Sequence, residues 1–452
     1  MSQSPSNRLT QGPIVKSLVR FAVPLFLGNL FQQMYNTADS LVVGNFVGSS
    51  ALAAVVSSQH LCFLVIGFLQ GLFIGAGAII AHAFGAEDGE ELCRAVRSTV
   101  AMALTGGLVL SALGVIFSPA ILRLMGTPEQ VLPNSVLYFR LYFGGLITTV
   151  LYNCAASILQ ATGDSRRPLF YLVTASCANV TLDVLFVAVF QWGVAGVGSA
   201  TILSQALSAF LAFSHLARSG TAYGRAALRP RFFLPQLRRM LRVGIPSGIQ
   251  NSIISLSNMT VQSHINSFGA LAVAGCGIAA RLEGFIFMPI SSFALAVTTF
   301  VGQNMGAGEG ERARKGAWAN MALCMTVAQV SALALRLHPE PLLRLFDASP
   351  EVLAYGTQQI MISTPFYFLP AATHCMAGSL RGLGRAVTPM AVTMICWCVV
   401  RVTYLEVLLS IRHEMWILQA VYPFTWFLSA AALLFFFLRA PWGGDGRRAK
   451  KP

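Results

Sequence analysis

The chain has 452 residues, of which 55% are hydrophobic and only 11% are charged, and its formal net charge is +14. Soluble domains carry about 25% charged residues, so this composition excludes an ordinary soluble protein and indicates an integral membrane protein. The basic excess does not indicate nucleic-acid binding, because the basic residues follow the pattern of a membrane topology.

Apolar stretches long enough to cross a bilayer recur along the whole chain. We therefore expect an all-α integral membrane fold with twelve transmembrane helices, at residues 16–43, 51–83, 93–119, 132–161, 166–190, 194–217, 239–265, 271–303, 312–336, 351–380, 386–410 and 414–438. Of the 31 Lys and Arg residues, 24 fall on one side of these predicted spans and 4 on the other. Because basic loops stay on the cytoplasmic side, both termini are predicted to be cytoplasmic.

The two halves of the chain carry the same short motifs, 221 or 222 residues apart. The repeated positions are Pro24 and Pro246, Gly85 and Gly306, Gly163 and Gly384, and Pro168 and Pro389. Six helices per half is an even number, so both halves enter the membrane from the same side. The two six-helix lobes should then be related by a pseudo-twofold axis along the membrane normal, an architecture typical of secondary transporters.

The repeat divides the chain into five parts. We predict a cytoplasmic N-tail at 1–15, an N-lobe of helices 1–6 at 16–217, a cytoplasmic linker at 218–238, a C-lobe of helices 7–12 at 239–438 and a basic cytoplasmic tail at 439–452. The linker is the longest cytoplasmic connection and carries several Arg and Pro residues, as a surface linker does.

Acidic residues inside apolar segments are the strongest functional signal. Asp39, Asp183, Glu283 and, nearer a helix end, Glu406 fall there, although an ionised carboxylate at the membrane centre costs about 2.5–3.5 kcal/mol. Asp39 follows Tyr35 by four residues and Asn36 by three, and Asp183 follows Asn179 by four, so each acid has a polar neighbour on its helix face. If the two faces meet, the carboxylates form a pocket that can hold a proton or a sodium ion.

The second half does not repeat these acids, since Val261 stands at the position of Asp39 and Tyr404 at that of Asp183. Its own polar candidates for a C-lobe cleft are Arg281, Glu283, His374 and Arg401. A structural role is open for two of them: Arg401 can pair with Glu406 or with backbone, and His374 can be a buried structural histidine. The asymmetry favours cation chemistry in the first half, with the second half moving against it.

The chain resembles the multidrug and toxic compound extrusion (MATE) transporters, in particular their DinF-like bacterial branch. The resemblance spans residues 14–438. The residues and motifs that support it are Pro24, Tyr35-x-x-x-Asp39 with Val43-Gly44, Gly85-Ala86, Leu159-Gln160-x-x-Gly163-Asp164-x-x-x-Pro168, Asn179-x-x-x-Asp183, Gly198-x-x-Thr201, Gln303-x-x-Gly306 and Gly384-x-x-x-x-Pro389. It implies two lobes around a V-shaped cleft, and export of cationic, amphipathic compounds driven by protons or sodium.

By the same resemblance, the family's N-lobe cation site matches Asp39, Asn179, Asp183 and Thr201, with Tyr35 beside it, and a sodium ion would sit among the first four. The acids that the NorM-like branch uses in its C-lobe have no clear match, and Glu283 lies in a different helix from the one expected. No cofactor is expected besides the coupling ion. The implied protein is a multi-pass monomer in the inner (plasma) membrane of a bacterium.

Two other functions stay open. A flippase for lipid-linked saccharides, from the same superfamily, would use a basic cleft, which Arg281 and Arg401 slightly favour, whereas the paired acids favour drug export. A membrane receptor or scaffold would show no flux driven by a cation gradient. We do not expect an enzyme, because the sequence has no His-rich metal cluster, nucleophile elbow or phosphate-binding loop.

Overall fold

The structure, a computed structural model, describes residues 9–42, 49–124, 129 and 132–443, without the side chains of residues 38–42, 49–64 and 134. Within these ranges every regular element is a helix. The described residues divide into two compact units, the first within residues 23–241 and the second within residues 9–22 and 242–443. Helix α1 therefore begins in the second unit and continues into the first.

The first half contains α1 to α8. Their bounds are Ile14–Val42, Ser49–Gly85, Gly89–Leu124, Leu132–Gly144, Leu146–Ala161, Arg166–Asp183, Val194–Arg218 and Ala222–Ala227. A π-helical segment, Val184–Val189, continues α6. Helices α4 and α5 form one span with a bend of 41°. Gly145 lies at this bend, and a side chain there would clash with Ile202 of α7.

The second half contains α9 to α17. Their bounds are Leu234–Asn266, Ala270–Gly306, Gly310–Leu337, Pro339–Leu343, Pro350–Ser363, Phe368–Gly382, Val387–Thr393, Arg401–Ile411 and Met415–Leu438. A 3-10 turn, Thr364–Phe366, separates α13 from α14. A π-helical segment, Met394–Val400, joins α15 to α16.

Each of the twelve predicted spans coincides with one helix or one broken helix, so the all-α fold with twelve transmembrane helices is confirmed. In the described ranges, nine helices are long and apolar enough to cross a membrane by themselves, and the bent α4–α5 pair makes a tenth span. The other two spans are α9 and the broken α13–α14 pair. Both carry polar residues at membrane depth, where irregular or polar helices need partners inside the protein.

Glycines allow close helix packing inside each unit. In the first unit, a side chain on Gly114 of α3 would clash with Phe143 of α4. In the second, a side chain on Gly378 of α14 would clash with the carbonyl oxygen of Ala294 of α10. Small residues at such crossings are how membrane helices gain packing energy, because burial from water does not drive them together inside lipid.

Candidate functional site

Helix α6 buries the two polar residues that the sequence singles out. Asn179 and Asp183 are both 0% exposed and lie one turn apart, immediately before the π-helical segment that begins at Val184. The spacing puts Asn179 within reach of Asp183 as a hydrogen-bond partner, but that bond does not form, since neither amide atom of Asn179 has a partner among the described residues. Residues four apart share a helix face, but sharing a face does not bring their polar atoms into contact. Such a buried, unpaired amide calls for a ligand, an ion or a water molecule.

Thr201 lies on α7, which packs directly against α6. Its hydroxyl donates to the carbonyl of Val197 at 3.0 Å, so the threonine is half-buried and locally satisfied. The depth of Thr201 relative to α6 follows from a contact five residues earlier on α7. A Cβ on Gly196 would lie 3.1 Å from the Cβ of Phe186. At about 1.5 Å per residue along antiparallel helices, Thr201 falls between Asp183 and Asn179 in depth.

Helix α1 carries the remaining N-lobe candidates. Tyr35 is half-buried on its surface, whereas the side chain of Asp39 lies outside the described residues. Helix α1 approaches α6 at Gly28, where a Cβ would lie 3.7 Å from Leu172 and 3.9 Å from Leu169. The two helices that carry the predicted acids are therefore in contact.

In the second half, Glu283 is buried near the middle of α10. Its carboxylate accepts hydrogen bonds from Gln359 Nε2 at 3.0 Å and from the Ser363 hydroxyl, both on α13. Tyr367, which is fully buried, adjoins the same carboxylate. Arg281 is exposed, so it does not share the environment of Glu283. None of these three neighbours of Glu283 was predicted from the sequence, although the four-residue spacing of Gln359 and Ser363 within an apolar helix was a usable signal.

Arg401 is 1% exposed and is enclosed by aromatic rings. Its guanidinium donates to Ser257 Oγ at 3.0 Å and to Thr425 Oγ1 at 2.9 Å. It also lies 4.8 Å from the ring centre of Trp397 and 5.2 Å from that of Tyr422. The alternative pairing with Glu406 is not observed, because Glu406 is exposed and lies 3.5 Å from His264. Arg401 is thus held by neutral hydroxyls and by aromatic faces, which attract cations.

Two further basic residues lie inside this unit, His374 half-buried and Arg381 buried. His374 Nδ1 lies 2.9 Å from the carbonyl oxygen of Pro370, and the ring packs beside Phe287 and Trp397. Arg381 is buried in the last turn of α14 and donates to Gln250 Oε1 at 3.2 Å. Among the described residues no group of three His, Cys, Asp or Glu side chains is arranged to hold a metal ion.

Comparisons with known proteins agree with this architecture. The protein-family model described as MatE matches residues 24–185 and again residues 246–405. The chain is 30% identical to the probable multidrug resistance protein YoeA of Bacillus subtilis, and the match covers 87% of each chain. It is 29% identical to the probable multidrug resistance protein YpnP of the same organism, over 87% of this chain and 88% of that one.

Among solved structures, the fold is similar to that of a MATE protein crystallised in the straight conformation. The TM-score is 0.88 at 22% identity, and the match covers 97% of this chain and 98% of the other. The duplicated match to the family model coincides with the internal repeat seen in the sequence, so one copy falls on each half. The chain is a multi-pass membrane protein that belongs to the multidrug and toxic compound extrusion family.

Proposed function

We propose that this protein is a secondary active antiporter that exports cationic, amphipathic compounds in exchange for protons or sodium ions. The relatives that carry multidrug resistance in their names support export of small molecules across a membrane. We place the protein in the bacterial plasma membrane as a monomer with both termini in the cytoplasm, because the basic residues cluster on the side of both ends.

The observation that carries the proposal is the buried pair Asn179 and Asp183 on α6. Burying a carboxylate and an unsatisfied amide side by side is costly for a structural role alone. The cost is explained if a coupling ion, a proton or a water molecule occupies the space between them for part of the cycle. Carboxylate, amide and hydroxyl oxygens are also the ligands that a sodium ion can use.

The packing of α1 on α6 supports a shared site. Asp39 follows Gly28 by eleven residues, and Asp183 follows Leu172 by eleven residues. Eleven residues make about three turns of α-helix. Asp39 therefore lies on the same face of α1 as Gly28, and Asp183 lies on the same face of α6 as Leu172. If the two helices run in the same direction, as the predicted topology has them, Asp39 and Asp183 are expected at similar depth. The proposed site then has Asn179, Thr201 and Tyr35 around the two acids.

Coupling then follows from differential affinity. When both carboxylates are ionised, they repel each other and are costly to bury. This state therefore favours an open arrangement of the first-half helices. Binding a proton or a sodium ion removes that charge and favours a closed arrangement, so the ion shifts the population between the two access states. Arg281, Glu283, His374 and Arg401 stay candidates for the substrate-facing side of the C-lobe.

A second candidate function is the transport of lipid-linked saccharides, which carry phosphate. The observation that favours it is the pair of buried guanidinium groups, Arg381 and Arg401, that have no carboxylate partner among the described residues. Guanidinium groups suit phosphate, whereas they would repel a cationic drug. The third candidate function is that of a receptor or scaffold that transports no substrate.

Efflux of a fluorescent organic cation from proteoliposomes tests these readings. A pH gradient and a sodium gradient are imposed separately on the wild type, on Asp39→Asn and on Asp183→Asn, with Glu406→Gln as a matched control for an exposed acid. We expect one gradient to drive efflux in the wild type and the control but not in the two Asn variants. Unchanged efflux in both variants would remove the site, and no driven flux in the wild type would favour the receptor.

A further inference from the structure

The broken span of the second half is stabilised at its break by side chains from α11. Helix α13 ends at Ser363, and the 3-10 turn Thr364–Phe366 follows. Gln329 Nε2 donates to the carbonyl of Thr364 at 3.0 Å, and its Oε1 accepts from the amide of Phe368 at 3.2 Å. The backbone groups that the break releases are therefore paired inside the protein, as a broken membrane helix requires.

Glu283 sits against the last turn of α13, just before this break. Its two carboxylate oxygens accept from Gln359 and Ser363, which are both neutral. None of the ion pairs found among the described residues includes Glu283. Burial disfavours the ionised form of a carboxylic acid, while hydrogen-bond donors favour it. No basic side chain among the described residues therefore holds Glu283 in the ionised form.

The Ser363 hydroxyl has one proton and two acceptors within reach. One acceptor is the carboxylate of Glu283, and the other is the carbonyl oxygen of Gln359, at 2.9 Å. When Glu283 is ionised, the hydroxyl donates to the carboxylate. When Glu283 is protonated, the acid can donate to Ser363 Oγ, and the hydroxyl proton then turns to Gln359. Both protonation states are satisfied, but by different hydrogen bonds.

The second arrangement weakens the helix. A serine hydroxyl that bonds the carbonyl four residues earlier competes with the backbone amide for it, which destabilises and often bends the helix. That carbonyl belongs to the last turn of α13, at the edge of the break. Protonation of Glu283 therefore loosens the turn that precedes the break, and loss of the proton tightens it.

We propose that Glu283 is a proton-binding site whose occupancy redirects the Ser363 hydroxyl and so controls the last turn of α13. This proposal uses none of the residues of the proposed Asp39–Asp183 pocket and does not depend on the proposed antiport. The titratable groups that face Glu283 are Cys276 on α10, Tyr367 at the break and Tyr422 on α17. Helix α11 contributes the neutral Gln329, and His374 of α14 packs on Phe287 instead.

Infrared difference spectroscopy on the purified protein in lipid, between mildly alkaline and mildly acid pH, tests protonation without substrate or gradient. We expect a carboxylic-acid carbonyl band, distinct from any band of Asp39 and Asp183, that appears on acidification, disappears in Glu283→Gln and persists in Asp183→Asn and Glu406→Gln. In Ser363→Ala the band should stay but move in frequency, because the acid loses its acceptor. Absence of the band in the wild type, or its persistence in Glu283→Gln, would overturn the proposal.

Hydrogen exchange of backbone amides tests the switch itself. In the wild type we expect peptides that cover residues 359–366 to exchange faster on acidification, after correction for the intrinsic pH dependence of exchange. Glu283→Gln and Ser363→Ala should both lose this change, while peptides from α6 behave as in the wild type. Elution volume and thermal melting identify any misfolded variant. If protonation occurs in the wild type without a change in exchange, the switch is refuted.

Discussion

The two halves of the protein share their backbone turns but not their buried chemistry. Gly163 and Gly384 both have a positive φ, of 91° and 75° respectively. The amide of each glycine donates to the carbonyl oxygen of the residue three positions earlier, at 2.9 Å. In contrast, α6 buries an acid at Asp183, while its counterpart Tyr404 is half-buried with its ring 5.3 Å from that of Phe424. The duplicated scaffold has kept the residues that shape this turn, whereas the buried acid has not been kept.

The position of Asp39 shows the same divergence. Its counterpart, Val261, is 0% exposed and belongs to a hydrophobic cluster with Leu405, Leu418 and Cys276. An ion could not bind there without polar partners. Glu283 and Arg401, which the second half does bury, occupy other positions, so neither half repeats the buried charges of the other.

The largest expected effect comes from forcing the first half's chemistry into the second. Val261→Asp places a carboxyl group in this hydrophobic cluster without a cation, which should destabilise the fold by about 3–5 kcal/mol. We expect little folded protein by size-exclusion chromatography. Val261→Thr, of similar size, is the matched control and should cost less, since its hydroxyl can bond the helix backbone. Normal yield and transport from Val261→Asp would show that the second half tolerates an acid where the first has one.

A smaller effect is expected at Arg401. Arg401→Met keeps much of the side-chain volume but removes two hydrogen bonds and two cation–π contacts, which should lower the free energy of unfolding by about 1–3 kcal/mol. Thr425 keeps its bond to the carbonyl of Val421 at 2.8 Å, and Ser257 keeps its bond to the carbonyl of Trp397. Neither hydroxyl is orphaned. Denaturation of the purified variant in detergent measures the change.

Transport by the same variant separates two roles of Arg401. If Arg401 only joins α9, α16 and α17, gradient-driven efflux of an organic cation should persist in Arg401→Met in proportion to the folded fraction. If the guanidinium binds a phosphate-bearing substrate, flux of that substrate should be lost without loss of stability. Arg401→Lys is the control, because it keeps the charge but not the two directed hydrogen bonds.

The sequence predicted the twelve spans to within a few residues because hydrophobic length and charge asymmetry are local properties. It also identified Asp183 and Asn179, since a polar residue in an apolar run is visible without a structure. It did not identify Ser363 as a partner of Glu283, or Thr425 as a partner of Arg401. Those pairs are 80 and 24 residues apart and depend on how helices pack, which no single stretch of sequence encodes. The bend at Gly145 was missed for the same reason.

The smallest effect is expected at a repeated turn where the two halves differ by one residue. After α2, Glu87 has a φ of 57°, while its counterpart after α10, Gly308, has a φ of 78°. A side chain in this left-handed region lowers the free energy of unfolding by about 1–2 kcal/mol. Replacing it with glycine removes this cost, but part of the gain is lost because glycine is more flexible in the unfolded chain. Glu87→Gly should therefore raise the free energy of unfolding by about 0.5–1 kcal/mol.

Thermal unfolding of the purified protein measures this difference, with two comparisons. Glu87→Ala removes the same carboxylate but keeps a side chain at positive φ, so it should give no gain. Gly308→Ala introduces the strain into the second copy of the turn and should lower stability by about 1–2 kcal/mol. Because a Cβ at Gly308 meets no atom within 4 Å, any loss there reports backbone strain and not a clash. If all three variants had the same stability, a side chain at positive φ would carry no cost in these turns, and the prediction would be wrong.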